Sequence, residues 1–537
     1  MRNLSIAWLC LSFAATAQPC VTIDHTELPA GEWTVESIIF ERHPIFETSA
    51  EETVWFHRFA NRYHDITTEK TLRNDLVFRE GSVITALQLA ENERLLRSRK
   101  YLRNATIDIV CVNSKTKSVQ LRVQTWDNWS LLPKISLGHS GGSTKTGLGL
   151  AEDNLFGSGT QALVEYQSDA ERSGYQVKLA SDNLFGTFWQ SNARYASNSD
   201  GESYQFGLSK PFYQLQTTNS YRIDLNKDIK TIAEYAYGEV WHEYQSKLQS
   251  LQLESGWRLG GDEQWAMRML TGANLQDQHF QVLTADFLTV PENRNRSEIY
   301  VAWQLEQAAY QELSNIYLFN RVEDLNFGWQ VKLQLGRMDA AVGAYDDGWH
   351  FVLDIQKNLQ LSEQSWLFWQ ASAERWQFST LPNSTRWTSD LRYVQHLTDR
   401  QQLIATASAR FADDLERDER YTLGGDEGMR AFPLYYQTGN KAVTGSVEYR
   451  YITPWSIYQL LDVAFASFVD TGRAWDNPDA APGADLEQTL YGAGVGIRLL
   501  PNHTSRGSMI SIDLTRPFSQ NPELSGWRWR VIARKPF

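Results

Sequence analysis

One short stretch of the chain has the residue types of a hydrolase nucleophile. Residues 138–142 read Gly-His-Ser-Gly-Gly and fit the pattern G-x-S-x-G, in which a sharp turn between a strand and a helix presents a serine to a base. Gly147 and Gly149 follow closely, and glycines resist helix formation. We therefore interpret residues 138–142 as the end of a strand and predict no catalytic serine.

Cofactor and metal patterns are equally incomplete. Gly147-Leu148-Gly149 lacks the third glycine of a dinucleotide fingerprint, because Glu152 stands in its place. The ten histidines form no H-E-x-x-H motif and the three cysteines form no paired motif. Asp346-Asp347-Gly348 lacks the ladder of oxygen ligands of a calcium loop, which favours an acidic surface turn. The sequence predicts no catalytic residues, no metal, no cofactor and no enzyme.

Charge and hydropathy exclude two further classes of protein. Lys and Arg number 51 against 64 Asp and Glu, a net charge of −13, whereas a nucleic-acid binder needs a basic face. After residue 20 no apolar run approaches the roughly 18 residues of a membrane helix, which excludes a helical transporter. The 20 Trp, 23 Tyr and 24 Phe fit large folded cores or the aromatic girdles of a transmembrane barrel.

The first residues have the pattern of an export signal. Arg2 supplies the positive start, residues 6–15 an apolar stretch, and Ala15-Thr16-Ala17 a small-x-small cleavage site. We expect a signal peptide over residues 1–17 and an N-terminal tail over 18–32. A lipoprotein site at Cys20 is disfavoured because Pro19 precedes it.

The cysteines leave two alternatives open. Removal of Cys10 with the signal peptide leaves Cys20 and Cys111, which could form a disulfide in an oxidising compartment. In the other interpretation, Cys20 lies in a mobile tail and Cys111 packs in a core, since spacing alone does not establish geometry.

Residues 33–126 have the pattern of a small α+β unit. A helix after residue 52 carries Trp55, Phe59 and Tyr63 on one stripe, and a second begins at Thr85. The period then changes to two, giving strands over residues 105–111 and 119–123, and residues 35–40 can supply a third. We predict the order β-α-α-β-β, with two helices on a small sheet.

Residues 128–537 show short strands of alternating polarity throughout. Such strands fit a soluble sandwich with its apolar face inward, or an outer-membrane barrel with that face toward lipid. The export signal, the aromatic residues at strand ends and a final strand ending on Phe537 favour the barrel. At roughly 25 residues per strand and connection, we expect an all-β transmembrane barrel of about 16 antiparallel strands.

Several motifs together carry a family resemblance. Residues 76–81 and 95–102 resemble a POTRA (polypeptide-transport-associated) domain, and the barrel resembles the BamA/TamA outer-membrane superfamily, the bacterial surface antigens. Residues 154–159 are similar to its early strand turn, and residues 423–433 to its lumenal loop. The loop motif comprises Gly424, Gly425, Gly428, Arg430 and Phe432; Ala431 stands where the family usually has glycine, which would cost about 1 kcal/mol if φ were positive there.

The barrel strands supply partners for the loop arginine. The family's strand motifs match Glu448-Tyr449-Arg450 and the segment from Phe468 to Gly472. Alternation points Asp470 into the lumen, where Arg430 could meet Asp470 or Glu448 in a partly desolvated pair. We predict that this pair locks the loop; the alternative is an arginine in an exposed turn.

The resemblance implies an outer-membrane protein of a Gram-negative bacterium that inserts or translocates polypeptides. Its POTRA-like domain would lie in the periplasm and bind unfolded β-rich clients at a sheet edge, with outer-membrane lipid and periplasmic accessory proteins as further partners and no nucleic acid. The alternative is a passive pore or a structural surface antigen. Only one POTRA unit fits before the barrel, which leaves the client open.

The first and last barrel strands define a predicted seam. Residues 132–140 contain Pro133 and Gly138, which weaken strand pairing, so the seam with residues 527–537 could open laterally. Phe537, the last residue, is expected to serve as a C-terminal assembly signal.

Overall fold

The computed structural model describes residues 27–46, 55–283, 290–317, 322–458, 460–480, 488–501, 509–519 and 526–534, together with Ile23 and Leu524. The predicted signal peptide, Cys20 and Phe537 lie outside these residues. No helix in the described ranges is long and apolar enough to cross a membrane.

A small α+β unit, called here the N-terminal domain, precedes the barrel. Its elements are β1 (Trp33–His43), α1 (Trp55–Arg62), α2 (Glu69–Asp75), β2 (Val83–Ile84), α3 (Ala86–Arg97), β3 (Leu102–Asn113) and β4 (Ser118–Asp127). The strands form one sheet in the order β2-β1-β4-β3, in which β1 runs parallel to β4. The predicted β-α-α-β-β order omitted the helix α2 and the short strand β2.

The core of this domain follows the predicted periodicities. Val119, Leu121 and Val123 on β4 are fully buried and pack with Leu89 and Leu96 of α3. The predicted start of α3 is confirmed: the Thr85 hydroxyl accepts from the Gln88 amide, and the Gln88 side chain accepts from the Thr85 amide. These reciprocal bonds satisfy backbone N–H groups at the start of the helix.

The remaining strands are β5 (Leu131–Ser140), β6 (Ser143–Leu155), β7 (Thr160–Ser168), β8 (Ser173–Leu184), β9 (Trp189–Asn198), β10 (Gly201–Lys210), β11 (Asn219–Ala236), β12 (Glu239–Gly261), β13 (Trp265–Val282), β14 (Arg294–Asn295), β15 (Glu298–Gln307), β16 (Tyr310–Ser314), β17 (Val322–Asn326), β18 (Trp329–Met338), β19 (Gly348–Ser362), β20 (Ser365–Phe378), β21 (Ser384–Thr398), β22 (Gln401–Asp413), β23 (Tyr421–Leu423), β24 (Gln437–Gly439), β25 (Lys441–Ile457), β26 (Leu461–Trp475), β27 (Leu490–Pro501), β28 (Met509–Phe518) and β29 (Arg528–Arg534).

Within the described residues these strands close into an antiparallel barrel of 20 strands. The two-residue β14 pairs with β13 just ahead of β15, while β16–β17 and β23–β24 form separate hairpins. The expected number of about 16 strands is wrong. Many connections are tight turns, so each strand with its connection takes about 20 residues rather than 25.

The apolar residues of the alternating strands face outward, as they do in a membrane barrel. On β5, Ile135 and Leu137 are exposed on the outer surface, and Val447 and Val469 are exposed on β25 and β26. Charged groups such as Asp470 are buried in the lumen instead. The closed ring with an apolar exterior excludes the sandwich that the sequence left open.

The two ends of the barrel differ. Because β4 ends at Asp127 and β5 begins at Leu131, the N-terminal domain lies at the end where β5 starts. Successive antiparallel strands then place the turns at 156–159 and 185–188 at this end. The segment between β22 and β25, residues 414–440, enters from the opposite end.

Candidate functional site: the lumenal loop and the barrel seam

Residues 421–439 fold back into the barrel as a compact loop. β23 pairs with β24 at its base, and Met429, Phe432 and Tyr436 form a buried cluster with barrel residues. Gly424 has φ of 130°, and a Cβ built there would lie 2.0 Å from the Pro433 carbonyl oxygen. Only glycine fits this position, which explains the residue type in the loop motif.

The loop arginine contacts both predicted acidic partners. Arg430 donates from Nε and Nη2 to the two carboxylate oxygens of Asp470, at 2.9 and 2.6 Å, and from Nη1 to Glu448 Oε2 at 2.6 Å. Nη2 also lies 2.7 Å from Ser446 Oγ. The guanidinium stacks over the Phe468 ring, with Cζ 3.4 Å from its centroid. All three guanidinium nitrogens thus donate hydrogen bonds, an arrangement that arginine can make and lysine, with one ammonium group, cannot.

A chain of ion pairs extends from this arginine to the last strand. Glu448 also accepts from Arg498 at 2.9 Å, Arg498 pairs with Asp513 on β28, and Asp513 accepts from Arg530 on β29 at 3.0 Å. Arg530 lies 3.5 Å from Asp426 of the loop. The loop is therefore joined to the barrel wall at Arg430 and to the last strand at Asp426.

Ala431, the departure from the family motif, has an ordinary backbone conformation. It is absent from the positive-φ residues of the described chain, so the expected strain does not arise. Its side chain is buried and faces Gly492 on β27, where an added Cβ would lie 2.9 Å from the Ala431 Cβ. The glycine on the strand leaves room for the methyl group on the loop.

The seam between β5 and β29 is the weakest ladder of the described barrel. A single residue pair, Val531 opposite His139, is in register, whereas β28 and β29 are paired from Met509 to Thr515. The His139 ring stacks on Trp529, with centroids 4.0 Å apart. Ser140 ends β5 and a two-residue turn leads into β6, which confirms the strand-end interpretation of residues 138–142.

Two barrel turns of identical sequence hold the N-terminal domain. Residues 153–157 and 182–186 both read Asp-Asn-Leu-Phe-Gly, and in each the asparagine oxygen accepts from the amide five residues further on. Asn154 Nδ2 donates to Thr67 Oγ1 before α2, and Asn183 Nδ2 donates to the carbonyl of Asn74 within it, both at 2.9 Å. The repeated turns therefore bind both ends of α2.

A buried polar group reinforces this junction. Asp75 accepts from Asn183 Nδ2 at 2.8 Å and pairs with Arg99 at 2.8 Å. Burial, and then the charge of Asp75, raise the pKa of the Tyr101 phenol well above its ordinary value. Tyr101 therefore stays protonated and donates to Asp75.

The hairpin β16–β17 lies in the lumen at the end nearest the N-terminal domain. Ile316 and Phe327 pack on lumen-facing residues, among them Trp366 and Phe368 of β20. Arg97 of α3 donates to Asp324 of the hairpin at 2.7 and 2.8 Å. A cavity of about 900 Å³ separates the hairpin from the lumenal loop.

The loop and the strands that hold it fall within a recognised domain. Residues 346–523 match the Omp85 superfamily domain. The chain carries an Omp85 superfamily domain. This match confirms the resemblance to the BamA/TamA outer-membrane superfamily. Omp85 barrels are outer-membrane proteins of Gram-negative bacteria, and an apolar exterior is the surface that a barrel presents to lipid.

Solved structures of Omp85 barrels resemble the whole chain only loosely. CdiB from Acinetobacter baumannii is 12% identical, with 93% of this chain and 73% of that chain covered and a TM-score of 0.46. BamA from Haemophilus ducreyi lacking POTRA domains 1–3 is 11% identical, with 94% and 84% covered and a TM-score of 0.38. No curated protein matches the chain. The assignment to Omp85 therefore rests on residues 346–523.

Several residues of the barrel and its turns were missed in the sequence. Arg498, Asp513 and Arg530 join the ion-pair chain, and each is a charge on the lumenal face of an alternating strand, a signal that could have been found. The second copy of the Asp-Asn-Leu-Phe-Gly turn could have been found by comparing the chain with itself. The β16–β17 hairpin had no such signal.

Of the two cysteines in the predicted disulfide, Cys111 lies within the described residues and Cys20 lies outside them. Cys111 is disulfide-bonded, and Cys10 and Cys20, the other cysteines of the chain, lie outside them. A register shift between Ile109 and Cys111 takes Cys111 out of phase with the buried residues of β3. Ile23 pairs with Ile109 through two backbone hydrogen bonds of 2.9 and 3.1 Å.

Proposed function

We propose that the protein inserts polypeptides into, or translocates them across, the outer membrane through the β5–β29 seam. The observation that carries this proposal is the seam itself: a single registered pair in the described residues, next to the strand whose Arg530 contacts the lumenal loop. A seam with one registered pair among the described residues can open at lower cost than a continuous ladder and present strand edges to a client. Omp85 proteins are transporters and insertases rather than enzymes, and we propose no reaction.

The N-terminal domain is proposed to be a periplasmic POTRA domain that binds clients. β3 forms one edge of its sheet, where Ile23 pairs with Ile109 and the Ile107 amide donates to Glu93. An extended client would add to that edge by displacing these contacts with its own backbone hydrogen bonds, which tolerate varied sequences. The ion pairs of Arg97 would couple such binding to the lumenal hairpin.

The test compares the outer-membrane and secreted proteomes of cells with the gene intact, deleted, or restored as wild type, as Arg430→Ala or as Arg375→Ala. Arg375 is an exposed barrel arginine that donates to Thr385 and serves as the matched control. We expect one or a few clients to be lost in the deletion and in Arg430→Ala and retained in Arg375→Ala.

An unchanged proteome, with the folded protein in the outer membrane, would contradict transport and favour the passive pore or surface antigen. Conductance in planar bilayers separates these two alternatives. The loop and the hairpin both occupy the lumen, so we expect little current from the wild type.

A further inference from the structure

Helix α1 and the residue that follows it carry three large aromatic side chains on their outer surface. Trp55, Phe59 and Tyr63 are 71%, 46% and 60% exposed, and neighbouring rings contact each other, with centroids 6.4 and 4.6 Å apart. Arg58 and Arg62, also exposed, lie beside them. An exposed cluster of this size on a small domain marks a contact surface.

The opposite face of α1 is fixed against the barrel. Ala60 is buried in a cluster that packs on Trp129, just before β5, and on Leu460, between β25 and β26. His57 Nε2 lies 3.2 Å from the carbonyl oxygen of Tyr458. These contacts hold the helix at the rim of the barrel, on the end nearest the N-terminal domain.

The rim at this place continues the lipid-facing surface. Trp455, Ile457 and Tyr458 are exposed at the end of β25, and Trp455 packs edge-on against Phe465, which faces outward on β26. Further along β26, Val469 is exposed on the same face. Aromatic residues in this position form the girdle at the membrane–water interface, so the α1 aromatics lie next to that interface.

We infer that α1 is a membrane-surface anchor, which inserts Trp55, Phe59 and Tyr63 into the phospholipid leaflet below the barrel. The aromatic rings suit the boundary between headgroups and acyl chains, and Arg58 and Arg62 suit lipid phosphates. Continuity with the lipid-facing girdle favours lipid over a protein partner. The inference rests on the membrane placement of the barrel and not on polypeptide transport, so each can fail without the other.

The test measures lipid contact in the full chain folded into vesicles of phosphatidylethanolamine and phosphatidylglycerol. An environment-sensitive fluorophore is attached at Phe59→Cys or, as the control, at Lys115→Cys, with the disulfide of Cys111 kept oxidised. Lys115 is exposed in the β3–β4 turn, about 30 Å from the barrel along the ten residues of β4. Quenching is read with nitroxide-labelled lipids, and barrel folding is checked by heat-modifiable gel mobility.

We expect quenching at position 59 to exceed that at position 115 by at least about twofold, with blue-shifted emission at 59. Arg58→Glu with Arg62→Glu should reduce quenching at 59 in these anionic vesicles. Equal quenching at the two positions in the folded protein would overturn the inference. A difference that persists in the glutamate variant but disappears when Trp55 and Tyr63 are changed to Ser would still support insertion, driven by the aromatic rings alone.

Discussion

Arg430 and Asp470 form a two-point ion pair inside the barrel, with nitrogen–oxygen distances of 2.9 and 2.6 Å. The Asp470 side chain is only 1% exposed, so removing the arginine would leave a buried carboxylate without its main partner. We expect Arg430→Ala to destabilise loop seating by about 3 to 5 kcal/mol and to make residues 421–439 sensitive to protease in folded barrels.

Two further variants sharpen this prediction. Arg430→Lys keeps the charge but cannot reach Asp470, Glu448 and Ser446 together, so it should be nearly as sensitive as Arg430→Ala. Arg375→Ala should behave as wild type. Normal protease resistance in both Arg430 variants would show that the loop does not depend on this ion pair.

Gly492 and Ala431 should behave as a compensating pair. A Cβ at position 492 would lie 2.9 Å from the Ala431 methyl group, which is closer than side-chain carbons approach. We expect Gly492→Ala to cost about 1 to 3 kcal/mol through overpacking and Ala431→Gly to restore most of it. Thermal unfolding of the two single variants and the double variant measures this coupling; additive effects would contradict the proposed fit.

Periodicity and motifs were enough to predict those features that depend on residues close together in the sequence. The strands of the N-terminal domain follow from a local alternation of residue types. The start of α3 is also a local feature, because Thr85 and Gln88, three residues apart, cap the helix by bonding to each other. Asp470 could be placed in the lumen because alternation fixes the face of a strand. The number of barrel strands was wrong because it depends on connection lengths, which alternation does not determine.

Other features depend on distant parts of the chain. The aromatic stripe of α1 has helical spacing, and nothing local indicates that the stripe is exposed while Ala60 is buried. That outcome depends on contacts with Leu460, some 400 residues away. The hairpin β16–β17 has the same alternation as a barrel strand, so its position inside the lumen could not be predicted locally.

Acidification should strengthen the contact between α3 and the barrel turn at 211–218. Glu91 is buried and accepts from the Leu215 amide at 3.1 Å; burial raises the pKa of Glu91 above its ordinary value of 4.5, although this hydrogen bond and nearby arginines oppose the shift. Because the folded state favours the protonated acid, the contact is most stable below about pH 4.5 and weakens as pH rises through the raised pKa.

Glu91→Gln keeps an acceptor for Leu215 and removes the titration. The measurement is the rate of amide hydrogen exchange in the peptide that contains Leu215. In acid, the variant and the wild type should exchange at nearly the same rate. At neutral pH, the variant should exchange severalfold more slowly than the wild type. Faster exchange in the variant at neutral pH would mean that the carboxylate stabilises the contact.

The seam is testable with a reversible crosslink. His139 and Val531 are the registered pair between β5 and β29, and opposed residues of antiparallel strands have Cα atoms about 4.5 to 5.5 Å apart, within disulfide range. We expect the His139→Cys, Val531→Cys double variant, once oxidised, to lose client delivery in the proteome comparison and to regain it in reductant. The two single variants control for the loss of the His139–Trp529 stacking.

A second disulfide supplies the matched control for crosslinking itself. Val495 and Leu514 are opposed on β27 and β28 and are both exposed on the outer face, so a bridge there joins two strands that already form a continuous ladder. It should leave client delivery unchanged. If the seam bridge also leaves delivery unchanged when fully oxidised, clients do not pass between β5 and β29, and the lumen becomes the route to test.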